Sequence, residues 1–187
     1  MARTPSNMLA LGTQAMDFEL FDTTRQKMKT FQQLKGKKAT LVVFICNHCP
    51  YVHHVIEEIV RIANDYRVEG VSTIAISSND VENYPDDSPE KMTEFALEHR
   101  FSFPYLYDET QQVAKDYDAA CTPDFYLFDE YDKLVYRGQL DDSRPQNGIV
   151  VSGSDLRNAI DSLLYSRKIN TLQKPSIGCN IKWKKVE

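Results

Sequence analysis

Hydrophobic positions along this chain change period at Tyr51. The stretch ATLVVFIC (39–46) is continuously apolar and β-branched, the pattern of a central strand covered on both faces. Beyond it, Val52, Val55, Ile56, Ile59, Ala63 and Tyr66 fall on one stripe at helical spacing and predict an amphipathic helix. AMDFELFD (15–22) alternates apolar and polar residues like a half-buried strand, and VSTIAIS (71–77) reads as a second buried strand. Residues 85–89 mark a loop. Ser88 then caps, and Pro89 opens, a helix over PEKMTEFALEHR (89–100). FPYLYD (103–108) predicts a short strand and ETQQVAKDYD (109–118) a short helix. DFYLFDEYDKLVYRG (124–138) predicts an antiparallel hairpin turning at Glu130–Asp132, and SGSDLRNAIDSLLYSR (152–167) a capped closing helix. Strand–helix–strand followed by hairpin–helix predicts an α/β protein with a mixed sheet flanked by helices.

Composition and charge then narrow the function classes. At 187 residues the chain has enough length for one well-cored domain and little for a second. A net charge of −5 leaves no basic footprint, so nucleic acid is not an expected partner. The apolar runs fall far short of the roughly 18 residues of a membrane span, so no membrane is expected either. The start, MARTPSNMLALGTQ, has no apolar core of secretory type, and the expected location is cytoplasmic. In that reducing compartment the four cysteines are better catalytic, metal-bound or buried than paired as staples. The last 22 residues, 166–187, carry six Lys or Arg against one Glu. Residues 1–165 form the expected domain, and this basic tail, with Ile177, Ile181 and Trp183 as apolar surface, is expected to dock on it.

The chemistry concentrates in FICNHCPYVHHV (44–55). A C-x-x-C between a strand and an amphipathic helix is the context of a redox-active pair. A helix N-terminus presents unpaired N–H groups and a partial positive charge, which favour thiolate over thiol. Pro50 sets the register. Proline suits the first helical position and costs roughly 3 kcal/mol in a helix interior, so Cys49 is expected to cap the helix and act as the nucleophile. Cys46 then lies at the strand end, within disulfide reach, and His48 is placed to stabilise the thiolate. His53 and His54 fall in the first turns, where a surface location is expected.

Taken together, CNHCPYV, ISSND, FPYLYDETQQVAKDY, CTPDFYLFD, YRGQLDD and PSIGCNIKWK resemble the thioredoxin superfamily, and more closely its peroxiredoxin-like AhpC/TSA or redoxin-domain group. The resemblance implies a thioredoxin fold with an N-terminal β extension and a helical insertion near 77–107. It implies a cis bond before Pro123, which would offer the Thr122 backbone to an extended substrate. It also places Val52 at the usual resolving position, so the cysteine pair is shifted three residues upstream. Peroxiredoxins set a proline before a Thr or Ser ahead of their cysteine, where this chain has Val42 and Cys46, and use an Arg to polarise peroxide, for which Arg137 is the candidate.

Three readings follow. The first is a thiol–disulfide oxidoreductase in which Cys49 attacks and Cys46 resolves, acting on a protein or small-molecule disulfide and recharged by an external thiol system. The second is a thiol-dependent peroxidase of antioxidant type. The third is a module binding Zn²⁺ or Cu⁺ through Cys46, His48, Cys49 and a later His, against which no further ligand pair completes a site. The preferred reading assigns no metal and needs no cofactor. Cys121, two residues before Pro123, is expected near the pair as a buried side chain or a third thiol. Cys179 is expected to meet Cys121 if the tail folds across the site. Asp17, Asp80, Asp124 and Asp141 receive no catalytic role.

Overall fold

The computed structural model describes residues 3–185. The strand predicted at 39–46 runs from Ala39 to Phe44 (β4) and sits inside a seven-stranded mixed sheet. Its neighbours are β5 (Val71–Ser77), parallel to it, and β8 (Asp124–Asp129), antiparallel. Outward from β5 lie β6 (Tyr105–Tyr107), β2 (Glu19–Asp22) and β3 (Lys27–Thr30); outward from β8 lies β9 (Leu134–Gly138). The continuous apolar run of β4 follows from burial on both faces. Ala39, Leu41, Val43 and Ile45 join one core cluster, while Val42 and Phe44 join the other.

The first cluster is covered by α2 (Pro50–Arg67), α3 (Pro89–Glu98) and α5 (Ser154–Leu164), which supply Val52, Ile56, Ile59, Met92, Phe95 and Ile160. The second is closed by α1 (Phe31–Leu34) and α4 (Gln112–Asp116) with the loop ahead of β2, through Phe18, Phe31, Val113 and Tyr117. A short 3₁₀ turn at Pro85–Asp87 precedes α3, and together they fill the connection between β5 and β6. Ser88 accepts the Lys91 amide as the N-cap of α3, with Pro89 following. The β8–β9 hairpin turns where predicted, with Asp132 at positive φ.

A second sheet of three strands is built from β1 (Arg3–Pro5), β10 (Ile177–Asn180) and β7 (Cys121–Thr122), in the order β1–β10–β7. Neither β1, β3 nor β10 is predicted from periodicity, because they are short, polar or glycine-bearing. The predicted strand over 15–22 shortens to Glu19–Asp22.

Residues 176–184 are held chiefly by the backbone. Ile181 N–H donates to the Ala120 carbonyl, Asp80 N–H to the Lys182 carbonyl, and Lys182 N–H to Asn79 Oδ1. Ile181 is buried, whereas Trp183 remains 41% exposed, so the apolar anchor of the tail is the isoleucine and not the tryptophan. Among the described residues of 166–187, charge contributes one exposed ion pair with the domain, Lys174–Asp142, just before this segment.

Candidate active site

The loop between β4 and α2 carries Cys46, Asn47, His48 and Cys49. The chain leaves β4 with a last sheet hydrogen bond from Ile45 N–H to the Ile76 carbonyl. Helix α2 begins at Pro50 with Cys49 as its N-cap, at φ −83° and ψ 119°, the register set by the proline rule. The intervening residues are pinned by Asp87, at the end of the 3₁₀ turn and fully buried. Its Oδ1 accepts the amides of Asn47 at 2.7 Å and His48 at 3.3 Å. Its Oδ2 accepts Asn79 Nδ2 at 2.7 Å and lies 2.6 Å from His48 Nδ1. Asn47 in turn accepts the Tyr105 hydroxyl and donates to the Asp86 carbonyl. His48 stacks on Tyr84, and Lys182 covers the same ring.

Sequence reasoning assigned Asp87 only to a loop. The carboxylate that fixes the C-x-x-C loop comes from about forty residues away, and no local signal marks it. Its hydrogen bond to His48 raises that imidazole above its ordinary pKa, against the cost of burial. His48 is therefore oriented toward Asp87, and the Cys49 charge adds only a minor upward contribution to its pKa.

Three sulfurs converge at the mouth of α2. Cys49 Sγ lies 2.9 Å from Cys179 Sγ and 3.2 Å from the Thr122 carbonyl oxygen, which accepts its S–H when the thiol is protonated. Cys46 Sγ lies 3.3 Å from Thr122 Oγ1. Hydrogen bonds from Cys179, and next from Cys46, pull Cys49 well below the usual thiol range despite its burial, with a smaller contribution from the Val52 amide of the first turn. The partners shift the opposite way. Cys46 is raised by its hydrogen bond to Cys49, by burial and by the Asp87 charge; Cys179 is raised by its hydrogen bond to Cys49 and by burial. The arrangement supports one anion, on Cys49, with two protonated neighbours.

The Thr122–Pro123 bond is cis. The Thr122 edge expected to receive a substrate strand is occupied by the chain itself, since β10 runs antiparallel to β7 with Cys179 opposite Thr122. Cys179 thus meets Cys49, and the expected meeting with Cys121 is corrected: the residue across from Cys121 is Asn180. Cys121 is buried, its S–H points to the Pro123 carbonyl at 3.7 Å, and burial pushes its pKa up.

Arg137 also needs correcting as a candidate. Its guanidinium donates to the Leu9 carbonyl and to Gln173 Oε1. On β9 it alternates with Tyr136, which shares the core cluster of Cys46 and Cys49 and so occupies the face toward the thiols. His54 bonds Ser143, and His53 is exposed beside Phe95 and His99, so neither joins the sulfurs.

Among the described residues, the metal set of the third reading, Cys46, His48, Cys49 and a later His, is not brought together. Among the described residues, Cys46, His48 and Asp87 place ligand atoms within 4.8 Å of one another. Four donors already engage the two Asp87 oxygens, so this carboxylate serves as a structural acceptor, and the set does not fit a metal cage. Among the described residues, no helix is long and apolar enough to cross a membrane.

Comparison with known proteins agrees with this geometry. A crystal structure of an uncharacterized conserved protein from Geobacillus kaustophilus is 57% identical, with a TM-score of 0.98 over 100% of this chain and 99% of that one. A hypothetical protein from Sinorhizobium meliloti 1021 is 45% identical, with a TM-score of 0.95 over 98% of this chain and 100% of that one. The thioredoxin domain of a thiol-disulfide oxidoreductase from Bacteroides vulgatus, at 18% identity, superposes with a TM-score of 0.65 over 83% of this chain and 99% of that one, which shows the thioredoxin fold. No curated protein sequence matches the chain. The family model described as Redoxin matches residues 10–157, most of the chain, including β4, the cysteine pair and the cis-proline. A mixed sheet of thioredoxin type, a buried thiol cluster at a helix mouth and this match together place the chain in the Redoxin family, whose activity is of oxidoreductase type.

Proposed function

We propose that this Redoxin-family chain is a thiol–disulfide oxidoreductase whose nucleophile is Cys49 and whose resolving thiol is Cys46. The observation that carries the reading is the position of Cys49 as N-cap of α2, with two thiol donors that lower its pKa. The Cys49 thiolate attacks one sulfur of a substrate disulfide, forming a mixed disulfide and releasing the other sulfur as thiolate. Cys46 then loses its proton and attacks the Cys49 sulfur. The Cys46–Cys49 disulfide forms, the second substrate sulfur leaves, and two electrons have passed to the substrate. An external dithiol restores the reduced pair. Thr122, which precedes the cis-Pro123, shapes the site by contacting both sulfurs, and Pro50 fixes the helix start. We assign the protein to the cytoplasm, where a thiol reductant is available, with a protein or small-molecule disulfide as substrate.

The test is alkylation across pH on wild type, Cys46→Ser and Cys49→Ser, alongside coupled reduction of insulin and of hydrogen peroxide. The expected result is that Cys49 labels at a pH well below the ordinary thiol range, that insulin is reduced, and that Cys49→Ser abolishes turnover. Preferential labelling of Cys46, or peroxide turnover far above disulfide turnover, overturns the assignment.

A further inference from the structure

The Redoxin match ends at residue 157, and β10 lies beyond it. Yet β10 contributes a sulfur 2.9 Å from Cys49 Sγ. It runs antiparallel to β7 with Cys179 opposite Thr122, the residue that precedes the cis-proline. The fit is close. A Cβ built on Gly178 would run into the Thr122 carbonyl carbon and oxygen, so only glycine lets the strand approach this far. On its other edge β10 pairs with β1, Arg3 opposite Cys179, and Ser176 donates its hydroxyl to the Pro123 carbonyl at 2.6 Å. Cys49 and Cys179 are 0% and 1% exposed, so an external chain reaches Cys49 only if the groups over it move, and β10, whose Cys179 touches Cys49, is one of them.

We propose that β10 is a tethered substrate strand: Cys179 occupies the place where a substrate cysteine would form its mixed disulfide with Cys49, and it is a third redox-active thiol of the cycle. This deepens the proposed function and rests on Cys49 as the attacking sulfur. The substrate class is then an extended protein segment with glycine immediately before its cysteine, added as a strand to β7. After substrate reduction has left a Cys46–Cys49 disulfide, the Cys179 thiolate attacks Cys49 Sγ. The Cys49–Cys179 bond forms and the Cys46–Cys49 bond breaks. Cys46 leaves as thiolate and takes up the proton that Cys179 gave up, so no electrons enter or leave. The resulting disulfide pins β10 over the site until an external dithiol reduces it.

Two experiments on the full-length protein test this. In the first, wild type and Cys46→Ser are oxidised with diamide and mapped by mass spectrometry without reduction. A Cys49–Cys179 link in wild type, becoming the dominant species in Cys46→Ser, is expected. Its absence in Cys46→Ser, in a preparation where Cys49 still alkylates at low pH, overturns the proposal while leaving the nucleophile assignment standing. Failure of Cys49 to alkylate at low pH in any variant overturns both.

In the second, a peptide of residues 175–183, its cysteine activated as a thionitrobenzoate disulfide, is mixed with the Cys179→Ser protein. Its rate of reaction is compared with that of the same peptide carrying Val for Gly178. The glycine peptide is expected to react about tenfold faster or more. Equal rates overturn the docking of a strand on β7.

Discussion

Replacing Asp87 separates its two roles, as acceptor for the C-x-x-C loop and as partner of His48. In Asp87→Ala, the Asn47 amide and the Asn79 side-chain amide lose their acceptor inside the protein, since both residues are less than a tenth exposed. Each buried donor left unsatisfied costs about 1–3 kcal/mol, and two are lost, while His48, partly exposed, can shed its proton instead of remaining an unpaired charge. A loss of about 2–6 kcal/mol in urea denaturation is therefore expected. Asp87→Asn keeps the volume and one oxygen, which retains the Asn47 and His48 amides. Its new NH₂ faces both His48 Nδ1, which can accept it only when unprotonated, and the Asn79 side-chain NH₂, which loses its acceptor.

The sign of the pH effect follows. In wild type the folded-state pKa of His48 is raised. Its contribution to stability is fully present below the unfolded value of about 6.5 and is lost as pH rises through the folded value. In Asp87→Asn the imidazole is held neutral and its pKa falls below 6.5. The contribution then exists at high pH and is lost on acidification. Nitrogen-detected NMR titration of His48, with urea midpoints at about pH 5.5 and 8.5, measures both. A His48 pKa that stays raised in Asp87→Asn, or an unchanged difference between the two midpoints, refutes the assignment of Asp87 as its partner.

Asp124, fully buried, has its pKa pushed up to about 7 by burial. Because that value is above the unfolded one, wild type loses stability as pH rises from about 4 through 7, and Asp124→Asn should be more stable at pH 8 by about 2–4 kcal/mol and near neutral at pH 4. Equal effects at the two pH values would show that desolvation does not govern this carboxyl. Ile181→Ala is expected to cost about 2–5 kcal/mol, whereas Trp183→Ala should cost less, about 0.5–2 kcal/mol, because the residue stays 41% exposed. The reverse order in chemical denaturation would mean that the tail is anchored elsewhere. Gly178→Ala forces a methyl against the Thr122 carbonyl and should cost about 1–3 kcal/mol. An unchanged urea midpoint would show that β10 does not sit this close to β7.

What the sequence made legible is what strict local rules govern. Proline tolerates few helical positions, so Pro50 alone placed the start of α2 and made Cys49 its cap. The short, unbroken and β-branched apolar run of β4 reads as a strand with core on both sides, and two core clusters share it. Arg137 was also legible in principle: it directly follows the large apolar Tyr136, and adjacent strand residues point to opposite faces, so it lies away from the face of Tyr136. By contrast, β10 pairs through backbone groups, and its four residues, IGCN, carry no period. Asp87 is one of two adjacent aspartates between two prolines, and only the tertiary fold decides which of them turns inward.

The same distinction bears on the chemistry. A cap position supplies one partly charged end of a helix, a contribution of about 0.3–1 kcal/mol at an exposed site, less than one pKa unit. That is too little to hold a thiolate in a site as buried as Cys49. The hydrogen bonds from Cys179 and Cys46 supply the rest, and the former comes from a strand that periodicity does not reveal. In the proposed reading Pro50 marks the nucleophilic cysteine, while the C-terminal strand supplies the hydrogen bond that most lowers its pKa and also covers it. A site built this way couples reactivity to access: displacing β10 for a substrate removes the Cys179 donor from Cys49. The incoming segment must bring a replacement interaction at the same point, as a sulfur entering a mixed disulfide does.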